Sequence, residues 1–117
     1  MKSTLLFGFR DSDLEAARLA AEAALGIRMT LQESSYRCGD YFRFGRDWTE
    51  HFILQKNFDT VEREWSEPAF EDFGILLYVG ETDREQEIRD ALIQSFFLLS
   101  PQTPGARSEP RAKPSDE

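Results

Sequence analysis

The sequence predicts an α+β fold: a mostly antiparallel sheet of five to six strands with two helices, in the order β-α-β-β-β-β-α-(β). Three observations predict it. An alanine-rich stretch of helical periodicity, Leu14 to Leu25, separates an apolar run near the start from a middle third that alternates with a period of two. A continuous apolar run, Ile75-Leu76-Leu77-Tyr78-Val79, lies between Gly74 and Gly80, as a central strand covered on both faces does. A second helical pattern follows that run. An order beginning βαβ also admits a ferredoxin-like variant.

The elements follow in turn. Ser3 to Phe9 reads as the first strand, closed by the Arg10-Asp11 turn. Ser12 with Glu15 three residues on is a capping-box pattern, and Asp11 and Asp13 suit the positive end of a helix dipole. Leu14, Ala17, Ala21, Ala24 and Leu25 form one face of the helix, with Glu15, Arg18 and Glu22 facing away. Gly26 stands where a C-terminal cap belongs. Ile27, Met29 and Leu31 alternate with Arg28, Thr30 and Gln32, the period of a half-buried strand. Cys38-Gly39-Asp40 reads as a turn, Tyr41 to Phe44 as a strand, Gly45-Arg46-Asp47 as a turn and Thr49 to Lys56 as a further strand. Residues 57–73 form a long connection of mixed character without a clear period. After the central strand, Thr82 with Glu85 caps the second helix, whose buried stripe is Ile88, Ala91 and Leu92. Phe96-Phe97-Leu98-Leu99 reads as either a last strand or the buried end of that helix; periodicity does not decide between them, and the β-propensity of the aromatics favours the strand.

The chain has 117 residues, 40% hydrophobic and 13% aromatic, with ten Phe. That favours one domain with a real core and argues against global disorder. Four of the five prolines fall in the last 17 residues, so 1–100 reads as the folded domain and 101–117 as a flexible tail. The net charge of −8 sets phosphate backbones and anionic membranes low among expected partners. No apolar run reaches the ~20 residues of a membrane span, and the first ten residues lack a signal-peptide pattern. A cytoplasmic, soluble protein is expected.

The chemistry-bearing residues are few. One cysteine, Cys38, excludes an internal disulfide framework, and one histidine, His51, leaves a metal site short of ligands. No cofactor or metal is expected. Cys38 beside Arg37 is a conceivable nucleophile, yet free cysteines mostly behave as small hydrophobes. His51 between Glu50 and Phe52 reads more readily as an edge residue than as a general base. Gly8-Phe9-Arg10-Asp11 occupies the position of a phosphate turn but lacks its glycine spacing, and Asp11 and Asp13 repel phosphate. Carboxylates abound with no spacing rule that sets Glu71-Asp72 above Glu62 with Glu64. The expectation is a non-enzyme.

Charge position says more than charge total. Residues 59–90 carry eleven acids against Arg63, Arg84 and Arg89, so the whole excess of −8 sits there and the rest of the chain is neutral. The connection 57–73 adds Phe58, Trp65, Phe70 and Phe73 to those acids. Acids that steer an encounter, around an aromatic that supplies hot-spot energy, are what a surface for a basic protein needs. The expected partner-binding residues are Asp59, Glu62, Glu64, Trp65, Glu67, Phe70, Glu71 and Asp72, with the acids of the second helix extending the patch. The competing expectation is a solvated face with Trp65 closing the core.

With this size, acidity and element order, three runs resemble the small immunity proteins of bacterial toxin–immunity systems, including polymorphic-toxin and contact-dependent inhibition pairs. They are Ser34-Ser35-Tyr36-Arg37-Cys38-Gly39-Asp40-Tyr41-Phe42, His51-Phe52-Ile53-Leu54-Gln55-Lys56-Asn57 and Ile75-Leu76-Leu77-Tyr78-Val79. The resemblance implies a non-catalytic inhibitor that binds a cognate toxin, often a basic nuclease, in the cytoplasm of the producing cell. The alternative from another class is a secretion or assembly chaperone for an effector, which binds through a sheet edge or apolar groove and typically dimerises. A small enzyme using Cys38 or His51 is the third.

Overall fold

The computed structural model describes residues 2–100, the side chain of Ser35 apart; the expected tail, 101–117, lies outside the described residues. The fold is α+β. In chain order it comprises β1 (Ser3–Phe9), α1 (Leu14–Leu25), β2 (Thr30–Ser34), β3 (Gly39–Phe44), β4 (His51–Lys56), β5 (Phe58–Asp59), β6 (Glu64–Trp65), β7 (Ile75–Thr82), α2 (Glu85–Leu92) and β8 (Phe97–Ser100). Short 3-10 turns cover Ser35–Arg37 and Pro68–Phe70. Six strands make one sheet in the order β2-β3-β4-β7-β1-β8, with every pairing antiparallel. β5 and β6 form a separate two-stranded hairpin.

Alternation along the strands builds two cores, one on each face. On the first, Leu5, Phe7, Phe52, Leu54, Ile75, Leu77 and Val79 meet Ala17 and Ala21 of α1 and Ile88 and Leu92 of α2. The alanines let α1 lie close to the sheet. On the second face, Leu6, Leu76 and Leu99 are covered by Phe73 and Phe70, so the connection 57–73 is the lid of that face. β7 faces both cores, and Ile75, Leu76, Leu77 and Val79 are fully buried. At Gly8 an added Cβ would fall 2.6 Å from the Phe73 ring, which is why the lid can seat there.

Several expectations are corrected. The cap of α1 is Asp13, not Ser12: its carboxylate accepts the Ala16 amide at 3.1 Å, and Glu15 pairs with Arg18 instead. Arg18 and Glu22 do not simply face away. Arg18 lies 5.3 Å over the Phe42 ring, and Glu22 accepts the Met29 amide at 2.7 Å, tying α1 to the approach to β2. Gly26 does end the helix, at φ 68°. β2 begins at Thr30, three residues later than the alternation suggested; Met29 is buried ahead of it, while Thr30 to Glu33 are exposed. An edge strand with α1 ending beside it has little to bury. The turn expected at Cys38-Gly39-Asp40 narrows to Cys38, at φ 65° between the 3-10 turn and β3; Gly39, at φ 98°, and Asp40 already belong to β3.

β4 starts at His51 rather than Thr49. Residues 57–73 hold the β5–β6 hairpin and a 3-10 turn, elements too short to show a period. Thr82 is the last residue of β7 and not a helix cap; its hydroxyl donates to Glu50 and accepts the Arg84 amide. No side chain caps α2, which starts at Glu85. Phe97–Ser100 is a strand, as the aromatics indicated. No helix among the described residues is long and apolar enough to cross a membrane.

Candidate functional site

The acidic connection is held by one buried amide. Asn57 is fully buried at the end of β4; its Nδ2 donates to the carbonyls of Phe70 and Phe73, both at 3.0 Å, and its Oδ1 accepts the Glu67 amide at 2.8 Å. The backbone of Asn57 also pairs with Gly74 and Ser66. Three points of the loop therefore converge on a single side chain. Buried amides with every arm satisfied hold a backbone firmly.

The eight expected site residues separate into different roles. Asp59 is half-buried and accepts the amides of Val61 and Glu62 at 2.9 and 3.1 Å, closing the hairpin turn. Glu62 and Glu64 are exposed, and Glu64 stands directly across the hairpin from Asp59. Two like charges opposite one another oppose pairing. Trp65 is half-buried, edge-on to Phe58 with ring centroids 4.9 Å apart, so it is neither core nor free. Glu67 is half-buried and accepts the Tyr78 hydroxyl at 2.9 Å. Burial first, and this carboxylate second, push the Tyr78 phenol well above its ordinary value, so it stays a donor. Phe70 packs into the second core. Glu71 and Asp72 are exposed beyond the 3-10 turn.

A groove of about 420 Å³ gathers part of this set with residues from elsewhere. Asp59, Val61 and Glu62 of the hairpin line it with Glu33 of β2 and with Tyr36 and Cys38 from the connection between β2 and β3. Tyr36 and Val61 are each 84% exposed. Tyr36 and Val61 thus line one groove with three carboxylates and with Cys38, whose Sγ lies 3.2 Å from Ser66 Oγ. Sequence reasoning missed Tyr36, Val61 and Glu33. The available signals were an aromatic inside the polar run Ser34 to Asp40 and a lone aliphatic inside the acidic run, each with no apolar neighbour to bury it. The acids of α2 do not extend this surface. That helix packs on the first face of the sheet, and the loop covers the second.

A second groove, about 440 Å³, lies beside it on the second face, bordered by Arg37, His51, Glu67, Tyr78, Gly80 and Glu81. Arg37 sits 5.4 and 5.5 Å over the rings of Tyr36 and Tyr78 and donates to buried Gln55 at 2.9 Å. His51 Nδ1 is 2.8 Å from the Thr49 carbonyl oxygen and its ring lies against Gly80, where a Cβ would occupy the same space. Among the described residues no hydrogen bond joins His51 to Cys38, and no group of three or more His, Cys, Asp or Glu is placed to hold a metal ion. A third, apolar groove of about 350 Å³ is lined by Ile93, Phe96, Phe97 and Leu98.

Several charges elsewhere are paired within the fold. Arg84 donates to both Glu50 oxygens at 2.8 Å, and Thr82 adds a third bond. This holds the Glu50 carboxyl below its ordinary value, chiefly through the Arg84 hydrogen bonds. By contrast Glu33, Glu62, Glu64, Glu71 and Asp72 make no salt bridge among the described residues. No known protein family matches the chain, and no curated protein or solved structure is similar enough to it to show kinship.

Proposed function

We propose that the protein is a non-catalytic, protein-binding inhibitor of the immunity type, which neutralises a basic toxin through the surface around Tyr36 and Val61. The observation that carries this reading is the groove that Glu33, Asp59 and Glu62 share with two apolar side chains, Tyr36 and Val61, each 84% exposed. A folded chain gains nothing by keeping a tyrosine and a valine in water, whereas a partner that covers them gains their burial. The carboxylates beside them, in no salt bridge among the described residues, favour a partner rich in Lys and Arg and speed its approach. Asn57 supports the reading further, because a loop fixed in advance loses little freedom when it binds.

The test is affinity capture from the native host with tagged protein at low and high salt, followed by co-expression. The expected result is one basic protein, retained at low salt and released at high salt, whose toxicity to cells the chain suppresses. Capture of nothing, or of a protein whose growth effect the chain leaves unchanged, overturns the reading. A second reading, an assembly chaperone, draws on the apolar groove of Ile93, Phe96, Phe97 and Leu98. It requires salt-tolerant binding that is lost in Ile93→Lys and kept in Glu62→Lys.

A further inference from the structure

The sheet ends in two unlike edges. β8 shifts register against β1 between Leu6 and Phe7 and runs in sequence straight into Pro101, which has no amide hydrogen to offer. Irregular register and a proline are the devices by which native edges avoid further pairing. β2 has neither. It pairs with β3 in unbroken register from Thr30↔Arg43 to Ser34↔Gly39. Its sequence, Thr30-Leu31-Gln32-Glu33-Ser34, contains no Pro, Gly or Lys. Among the described residues no strand lies on its outer side, so the outward N–H and C=O groups of β2 face solvent. Leu31 at its centre is 58% exposed.

The same edge is flanked by carboxylates. Glu33 lies on the strand, Asp40 stands directly opposite it on β3, and Asp59 and Glu62 share a groove with Glu33 and Tyr36. Of the nearby cations, Arg43 is committed to Asp47 and to the Gly45 carbonyl, and Arg37 stacks over the Tyr36 and Tyr78 rings and donates to Gln55, which leaves Arg28 ahead of the strand and Arg63 in the hairpin turn. A second copy of the chain would bring the same acids to meet these. A basic segment would meet opposite charge at the Glu33 end of the strand, where Asp40, Asp59 and Glu62 gather.

We propose that β2 is the docking edge for the basic partner, which adds an extended segment as a further antiparallel or parallel strand, its alternate apolar side chains resting on Leu31 and Tyr36. This rests on the reading of the acidic face given above. Main-chain hydrogen bonds supply register, and the carboxylates of Glu33, Asp40 and Glu62 select lysine- and arginine-bearing strands over acidic ones.

The test is amide hydrogen exchange, read residue by residue by NMR on the full chain, with three short peptide probes. One alternates lysine and valine, one alternates glutamate and valine, and the third is the lysine peptide N-methylated at every residue, so that neither of its edges can donate a hydrogen bond. The expected result is about tenfold slower exchange over residues 30–34 with the lysine peptide alone. Equal protection by the N-methylated probe, or protection at residues 97–100 instead, overturns strand addition. So does protection of residues 30–34 that arises on concentrating the protein without peptide, which assigns the edge to a second copy. If the lysine peptide shifts the Glu33 and Glu62 side-chain signals without slowing exchange, strand addition fails while the acidic-face reading stands. If it moves neither, both fail.

Discussion

Gly80 shows how one missing atom sets a site. The His51 ring occupies the space that a Cβ at Gly80 would need. Gly80→Ala is expected to destabilise the fold by about 1–3 kcal/mol, the cost of overpacking a buried position. The double variant His51→Ala with Gly80→Ala should recover most of that loss, and chemical denaturation of the four proteins checks it. Additive losses in the double variant would mean that the two residues do not compete for space. At this scale the sequence was only partly legible. Asp13 and Ser12 both cap helices well, and choosing between them required knowing at which residue the chain turns. The left-handed Gly26 was legible, because little else tolerates φ 68°.

Elements were legible where their burial was strong. α1 carries its own periodicity, and β7 is apolar because both faces are covered. β2 was misplaced since alternation at Ile27, Met29 and Leu31 records the passage under α1, not a strand with one buried face. The β5–β6 hairpin has two residues per strand, fewer than any periodicity can mark. The acidic surface was legible as charge, while its apolar members were not, because Tyr36 and Val61 come to line one groove only through the tertiary fold. The two roles of the loop acids are separable by mutation. Glu62→Lys is expected to slow association with the basic partner and leave the melting temperature within about a degree, as exposed surface substitutions do. Glu67→Lys removes the acceptor of the Tyr78 hydroxyl and is expected to lower stability by about 1–3 kcal/mol. Stopped-flow association and thermal melts of both variants check the pair. A fall in melting temperature for Glu62→Lys, or none for Glu67→Lys, would contradict the division of roles.

The whole molecule should be sensitive to acid. The Met29 amide holds the Glu22 carboxyl below its ordinary value of 4.5, and Arg84 does the same for Glu50. Each favours the folded state above that value and loses its contribution as pH falls through the lower folded value. The melting temperature should therefore be flat from neutral pH down to about 5 and drop below 4.5. Glu50→Gln should melt lower at neutral pH and lose less on acidification. Thermal melts across that range check it; parallel pH profiles for the two proteins would remove Glu50 from the account. The antiparallel order of the sheet was legible as a class, but its strand order was not, because pairing partners far apart in sequence leave no local mark.

That order also governs how the chain comes together. Both neighbours of β1 are late strands, β7 and β8, which begin at Ile75 and Phe97. A nascent chain that has emerged only as far as Phe73 holds Leu5, Leu6 and Phe7 without a single partner strand on either side. Such long-range pairing folds slowly and leaves apolar surface open to capture in the meantime. β1 leaves the ribosome well before either of its partners, so it is among the last strands to be housed, and the sheet closes around it from strands made later.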